Sequence, residues 1–119
     1  MRRRYRLRFG SEDLGEIAEE NFDFPSMYGR WSEPEILHDE HLAAYVAYSR
    51  EKDRIAVASD YGAEWERFGD ENENDFLDLI ESDEWTLEDE SGRRERILIP
   101  NFTADGGVVW RWDFLPRRP

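Results

Sequence analysis

Apolar and polar residues alternate at the start of the chain: Tyr5, Leu7 and Phe9 fall on one side, Arg4, Arg6 and Arg8 on the other. A period of two marks a half-buried strand, predicted over residues 3–9. Gly10-Ser11-Glu12-Asp13 reads as a turn, and residues 15–21 return as a second strand. Pairing Leu7 with Ile17 sets Arg8 opposite Glu16 and Arg4 opposite Glu20, whereas a one-residue slip puts Glu16 on the apolar face. Phe22-Asp23-Phe24-Pro25 breaks that strand, because proline cannot donate to a ladder, and Met27 to Trp31 forms a short third strand.

The pattern then changes period. Ser32-Glu33-Pro34-Glu35 fits a capping box, with glutamate three residues after the serine and proline in the first turn. A helix is predicted from about residue 33 into the fifties, helped by the alanine-rich stretch Leu42 to Tyr48. A hairpin pairing 44–49 with 54–59 around Arg50-Glu51-Lys52-Asp53 is the rival. Gly62 to Gly69 is a turn or short helical piece holding Trp65 and Phe68. From Asp70 to Ser82, Phe76, Leu77, Leu79 and Ile80 make an apolar stripe beneath acids, an amphipathic helix with Asp70 or Asn72 as its cap.

The last third reads as a meander. Trp85 to Glu88 is a strand, Glu90-Ser91-Gly92 a turn, and Arg94 to Asn101 the next strand. Ala104-Asp105-Gly106-Gly107 turns the chain into a final strand, Val108 to Phe114, where Val108, Trp110, Trp112 and Phe114 share a face. Strands at both ends and helices between predict one α+β domain over residues 1–119: an antiparallel sheet with two middle helices packed on one face.

Composition supports folding. The chain has 119 residues, of which 38% are charged, but 7 Phe, 5 Tyr and 5 Trp supply the buried area that disordered chains lack. With no cysteine, disulfides and thiolate chemistry are excluded. The arginines at the start precede no apolar run of signal or membrane-spanning length, so the expected location is the cytoplasm, away from membranes.

The net charge of −13 is segregated. Residues 1–9 carry +5, residues 10–90 carry −21 and residues 91–119 carry +3. A field of that sign repels nucleic acid and anionic lipid and attracts basic partners. The arginines of the first strand, with Arg94, Arg96, Arg111, Arg117 and Arg118, can form a basic patch or pair with the domain's own acids; pairing is the expectation.

Asp23-Phe24-Pro25 with Tyr28-Gly29-Arg30-Trp31, Trp85-Thr86-Leu87-Glu88-Asp89 with Gly92, Ile97-Leu98-Ile99-Pro100, and Val109-Trp110-Arg111-Trp112 together resemble a group of small acidic bacterial proteins of uncharacterised function. The likeness covers about half the chain and leaves the middle unaligned. It implies the strand–helix–strand layout and no activity.

Candidate chemistry is sparse. His38 and His41 stand three apart with Asp39 and Glu40 between them, a spacing able to hold a transition metal on a helix. The metalloprotease pattern needs four, so two surface histidines are the simpler reading. Residues 70–81 match a twelve-residue calcium loop at Asp70, Asn72, Asn74, Asp78 and Glu81, but Asp75 stands where the loop's glycine belongs. An acidic helix start explains the same residues. No serine sits in a nucleophile elbow and no glycine-rich phosphate loop exists, so no catalytic or cofactor-binding set emerges and no cofactor is expected. Phe22, Phe24, Tyr28 and Trp31, with Arg30, are expected mostly in the core, with an interface patch as the alternative.

These observations lead to a non-enzymatic acidic module that docks a basic protein, of the toxin-neutralising immunity type. The carboxylates expected to meet the partner are Glu64, Asp70, Glu71, Glu73, Asp75 and Asp78. The rivals are a nucleic-acid-mimicking inhibitor, whose carboxylates imitate phosphates, and a small metal-dependent or carboxylate-based hydrolase.

Overall fold

A computed structural model describes residues 3–23 and 25–113. The N-terminal alternation forms strand β1 (Arg4–Phe9), which turns at Gly10 and Ser11 into β2 (Glu12–Asp23). The hairpin is antiparallel, but Tyr5 rather than Leu7 faces Ile17, and Arg6 rather than Arg8 faces Glu16. The cause is a tighter turn and a bulge. Arg8 pairs with Asp13 while Arg6 pairs with Glu16, so β2 carries one extra residue at Leu14-Gly15. That residue restores Leu14 and Ile17, an odd number apart, to the same buried face. Gly15 makes it possible: its φ is +94°, and a Cβ there would lie 2.3 Å from the Ser32 carbonyl oxygen.

Strand β2 does not stop at Phe22. It continues to Asp23, with a second irregularity between Glu19 and Asn21, and β3 (Ser26–Ser32) follows after a turn at Pro25. Phe24 lies outside the described residues. The capping box predicted at Ser32 is unused. Ser32 remains in β3 opposite Glu16, and Pro34 packs over Gly15, which holds the chain extended. Helix α1 (Glu40–Ser59) starts seven residues later than the pattern predicts, where the Asp39 side chain accepts from the backbone N–H groups of His41 and Leu42 at 2.9 and 3.1 Å. Residues 44–59 are therefore helical, and the hairpin alternative falls.

The piece around Trp65 is helix α2 (Ala63–Asn72). The continuous helix expected from 70 to 82 is absent: a 3₁₀ turn (Glu73–Phe76) and one helical turn, α3 (Leu77–Ile80), replace it. Neither Asp70 nor Asn72 caps through its side chain; Asp70 lies in the last turn of α2, and the Asn72 amide donates to the Phe68 carbonyl at 2.8 Å. Of the expected stripe, Phe76 and Leu79 enter the core while Leu77 is exposed.

Strands β4 (Trp85–Glu88), β5 (Arg94–Arg96), β6 (Asn101–Phe102) and β7 (Gly107–Arg111) complete an antiparallel sheet in the order β5-β4-β1-β2-β3-β7-β6. The predicted strand from 94 to 101 is split before Pro100, yet both halves run along β7. Ile97 bridges Trp112, Leu98 N–H donates to the Arg111 carbonyl and Asp113 N–H to that of Arg96. Because β5 also pairs with β4, these bonds close the sheet into a barrel. Phe114, expected in the last strand, lies outside the described residues.

The core is aromatic. Trp85, Trp110 and Phe102 are almost fully enclosed beside Leu7, Leu14 and Ile17, and Tyr5 packs edge-on to Trp110 and Trp112. Trp31 joins it, as expected, while Phe22 is 68% exposed.

Helix α1 covers the free edge of β6 with a ladder of side chains. The Tyr45 hydroxyl donates to the Pro100 carbonyl at 2.7 Å, and Ser49 Oγ accepts from Phe102 N–H at 2.7 Å. Asp53 accepts from Ala104 N–H at 2.9 Å. Residues four apart on a helix share a face, and residues two apart on a strand expose their groups on one edge, so the two repeats match. The helix takes the place of the next strand and protects that edge from foreign pairing.

Candidate functional site

The barrel answers most of its own arginines. Arg4 reaches Glu16 at 2.6 Å, Arg6 reaches Asp13 at 3.0 Å, and Arg8 and Arg94 converge on Glu88 at 3.5 and 3.0 Å. Arg96 holds Asp113 at 2.6 Å. Glu20, expected opposite Arg4, instead lies 3.9 Å from Arg30. Arg117 and Arg118 lie outside the described residues.

The helical segment after α1 differs. Residues 60–84 hold eleven carboxylates against Arg67 alone. In α2, Trp65, Phe68, Gly69 and Asn72 turn inward at helical spacing, which leaves Glu64, Glu66, Asp70 and Glu71 on the outer face. Glu73, Asp75 and Asp78 extend that face through the 3₁₀ turn into α3, all exposed. Among the described residues, Glu64, Asp70, Glu71, Glu73 and Asp75 have no cation within ion-pair distance.

Asp78 is the exception. His41 Nε2 lies 3.0 Å from its Oδ1, and this hydrogen bond holds the Asp78 carboxyl below the ordinary aspartate range. The His41 ring also stacks on Phe76 with centroids 5.5 Å apart. The histidine therefore joins α1 to α3. His38 precedes the Asp39 cap, so the two histidines do not share a helix face as the spacing suggested.

The calcium-loop candidates are dispersed over separate helical pieces: Asp70 and Asn72 in α2, Asn74 in the 3₁₀ turn, Asp78 in α3 and Glu81 after it. Among the described residues no three His, Asp or Glu side chains are placed to hold a metal ion.

Beside the acidic face lies a groove of about 630 Å³ between α1, α2 and the β6–β7 end of the barrel. Its α1 wall carries Tyr48, Lys52 and Asp53, and its far wall Tyr61, Trp65 and Glu73. Sequence reading passed over this cluster. The signal was present in Tyr48 and Lys52, four apart on one helix, and in Gly69, a glycine inside a helix. Asp60 and Tyr61 both adopt left-handed conformations, with φ of 52° and 56°, and swing α2 back along α1. Tyr61 is 62% exposed and rests edge-on against Trp65 with centroids 5.4 Å apart. A smaller cavity opens at another part of the barrel, lined by Tyr5, Met27, Leu87 and Trp112 under a charged rim.

No protein-family model, curated protein or solved structure matches the chain. No helix among the described residues is long and apolar enough to cross a membrane.

Proposed function

We propose that the outer face of α2 and α3 is a docking surface for a basic protein, and that the chain is a non-enzymatic binding module of the toxin-neutralising type. The observation supporting this is the contrast in pairing. The arginines of β1, β5 and their neighbours meet carboxylates of the same barrel, whereas Asp70, Glu71, Glu73 and Asp75 are exposed and form no ion pair among the described residues, and Glu64 interacts with Arg54 only beyond ion-pair distance. Asp78 flanks them but is engaged with His41. Clustered like charge held in place by a folded scaffold steers association with an oppositely charged surface and makes it salt-dependent.

The test is affinity capture from the source cell at low and moderate salt, using the wild-type chain and the double variant Glu71→Lys/Glu73→Lys. A partner captured through this face is basic, is released as salt rises and is lost with the charge reversal. A partner retained by the double variant, or one indifferent to salt, removes the reading. Competition between the captured partner's DNA or RNA and this chain would move it to nucleic-acid mimicry.

A further inference from the structure

Lys52 occupies an unusual position for the one lysine of the chain. Its ammonium lies 5.2 Å from the Trp65 ring centroid and 5.8 Å from that of Tyr48, with one ring from α2 and the other from α1. Among the described residues no carboxylate lies within ion-pair distance of it, although the surrounding surface is acidic. The space it fills is maintained by Gly69. A Cβ at that residue would stand 3.3 Å from Lys52 Nζ and 3.4 Å from Cε. Glycine inside a helix costs about 1 kcal/mol relative to alanine, and here it leaves α2 a notch through which the lysine passes. Tyr48 in turn stacks on Phe68 and Phe76, at 5.6 and 4.9 Å, so the ring is fixed before any ligand arrives.

Resting on the acidic-face reading above, we infer that this notch receives an arginine side chain of the basic partner, and that Lys52 holds the place until it is displaced. The notch selects cations by its aromatic walls, and the carboxylates of Asp53 and Glu73 line the same groove. A guanidinium is planar and less strongly hydrated than an ammonium, so it stacks on tryptophan more favourably than Lys52 does. Lys52 reaches the notch on a flexible four-carbon stem and can retreat toward solvent without disturbing α1. Tyr61, exposed at the rim, supplies the second aromatic surface typical of an interface anchor. The groove thus adds a specific pocket to an otherwise diffuse electrostatic surface.

The experiment is an NMR and calorimetric titration of the full chain with a glycine-spaced arginine peptide at low salt. In the free protein the Lys52 ε-methylene protons are shifted by the flanking rings. Binding returns them to ordinary lysine positions and perturbs the Trp65 indole. Lys52→Met removes the competing cation and tightens binding roughly two- to fivefold beyond the gain from Arg67→Met, which removes one positive charge elsewhere on α2. Trp65→Leu weakens binding, and circular dichroism establishes which variants are folded. Peptide binding that leaves the Lys52 resonances unmoved, with Lys52→Met no tighter than Arg67→Met, makes the contact a staple between two helices and overturns the inference while the acidic-face reading stands. No binding by any of these proteins overturns both.

Discussion

Ser49 Oγ serves both backbone groups of Phe102, accepting from its N–H at 2.7 Å and donating to its carbonyl at 3.2 Å, while the serine itself is 5% exposed. Alanine at this position leaves both groups buried without partners, at a cost of about 1–3 kcal/mol. Denaturant unfolding of Ser49→Ala measures this directly; an unchanged midpoint would show that α1 does not close the β6 edge. One helical turn earlier, burial pushes the Tyr45 phenol above its ordinary value, more than its hydrogen-bonding to Ser49 lowers it. A raised folded-state value means that the unfolded chain ionises first, near pH 10, while the folded chain keeps its proton. The stabilisation is complete below pH ~10 and is lost as pH rises through the folded value. Melting temperatures between pH 9 and 12 therefore fall more steeply for the wild type than for Tyr45→Phe. The phenylalanine variant begins less stable by about 1 kcal/mol, because the bond to Pro100 is gone.

Bulges and caps are the features that sequence periodicity conveys least. At Gly15 a bulge, a positive φ and the close passage of Ser32 coincide. Gly15→Ala must strain the backbone and displace β3, so we expect a loss above about 2 kcal/mol, measured by thermal unfolding. The alternation of Tyr5 and Leu7, the Gly106 turn and the inward set Val108 and Trp110 were readable, because a half-buried strand writes its burial directly into a period of two. The register was not readable. Moving the β1–β2 pairing by two residues keeps every side chain on its face, so hydrophobicity cannot distinguish Leu7 from Tyr5 opposite Ile17. The start of α1 is hidden for a different reason: Ser32 and Asp39 are both cap-forming residue types, and Ser32 is held in β3 by its pairing with Glu16 while Pro34 packs against Gly15. The acidic residues of the candidate site were legible as composition; their outer face is set by the inward spacing of Trp65, Phe68 and Asn72 in α2, which a turn or short helical piece ending at Gly69 does not convey. The groove required three distant segments to meet, which no local pattern encodes.

Across the whole molecule, the net charge of −13 is distributed so that the barrel and α1 are largely self-compensated and the segment carrying α2 and α3 is not. Unanswered like charges repel, and the repulsion works against the folded state. If the acidic face were shaped for stability alone, α2 would carry cations near its C-terminal end, where the helix dipole favours them; its last turn holds none. Asp70 stands there, four residues after Glu66, and both are acidic and exposed. Asp70→Lys converts this repulsive pair into a glutamate-before-lysine pair in the favourable orientation and places positive charge toward the helix end. The expected gain is about 0.5–1 kcal/mol, read as a higher unfolding midpoint at low salt. Raising the ionic strength from ~0.01 to ~0.3 M shortens the screening length from about 30 to below 10 Å. Salt should therefore stabilise the wild type and narrow its difference from the variant. The same substitution should weaken capture of a basic partner. A variant both more stable and poorer at binding would place the acidic face among functional surfaces kept at a cost to stability; one that is more stable and binds equally well would separate the face from function.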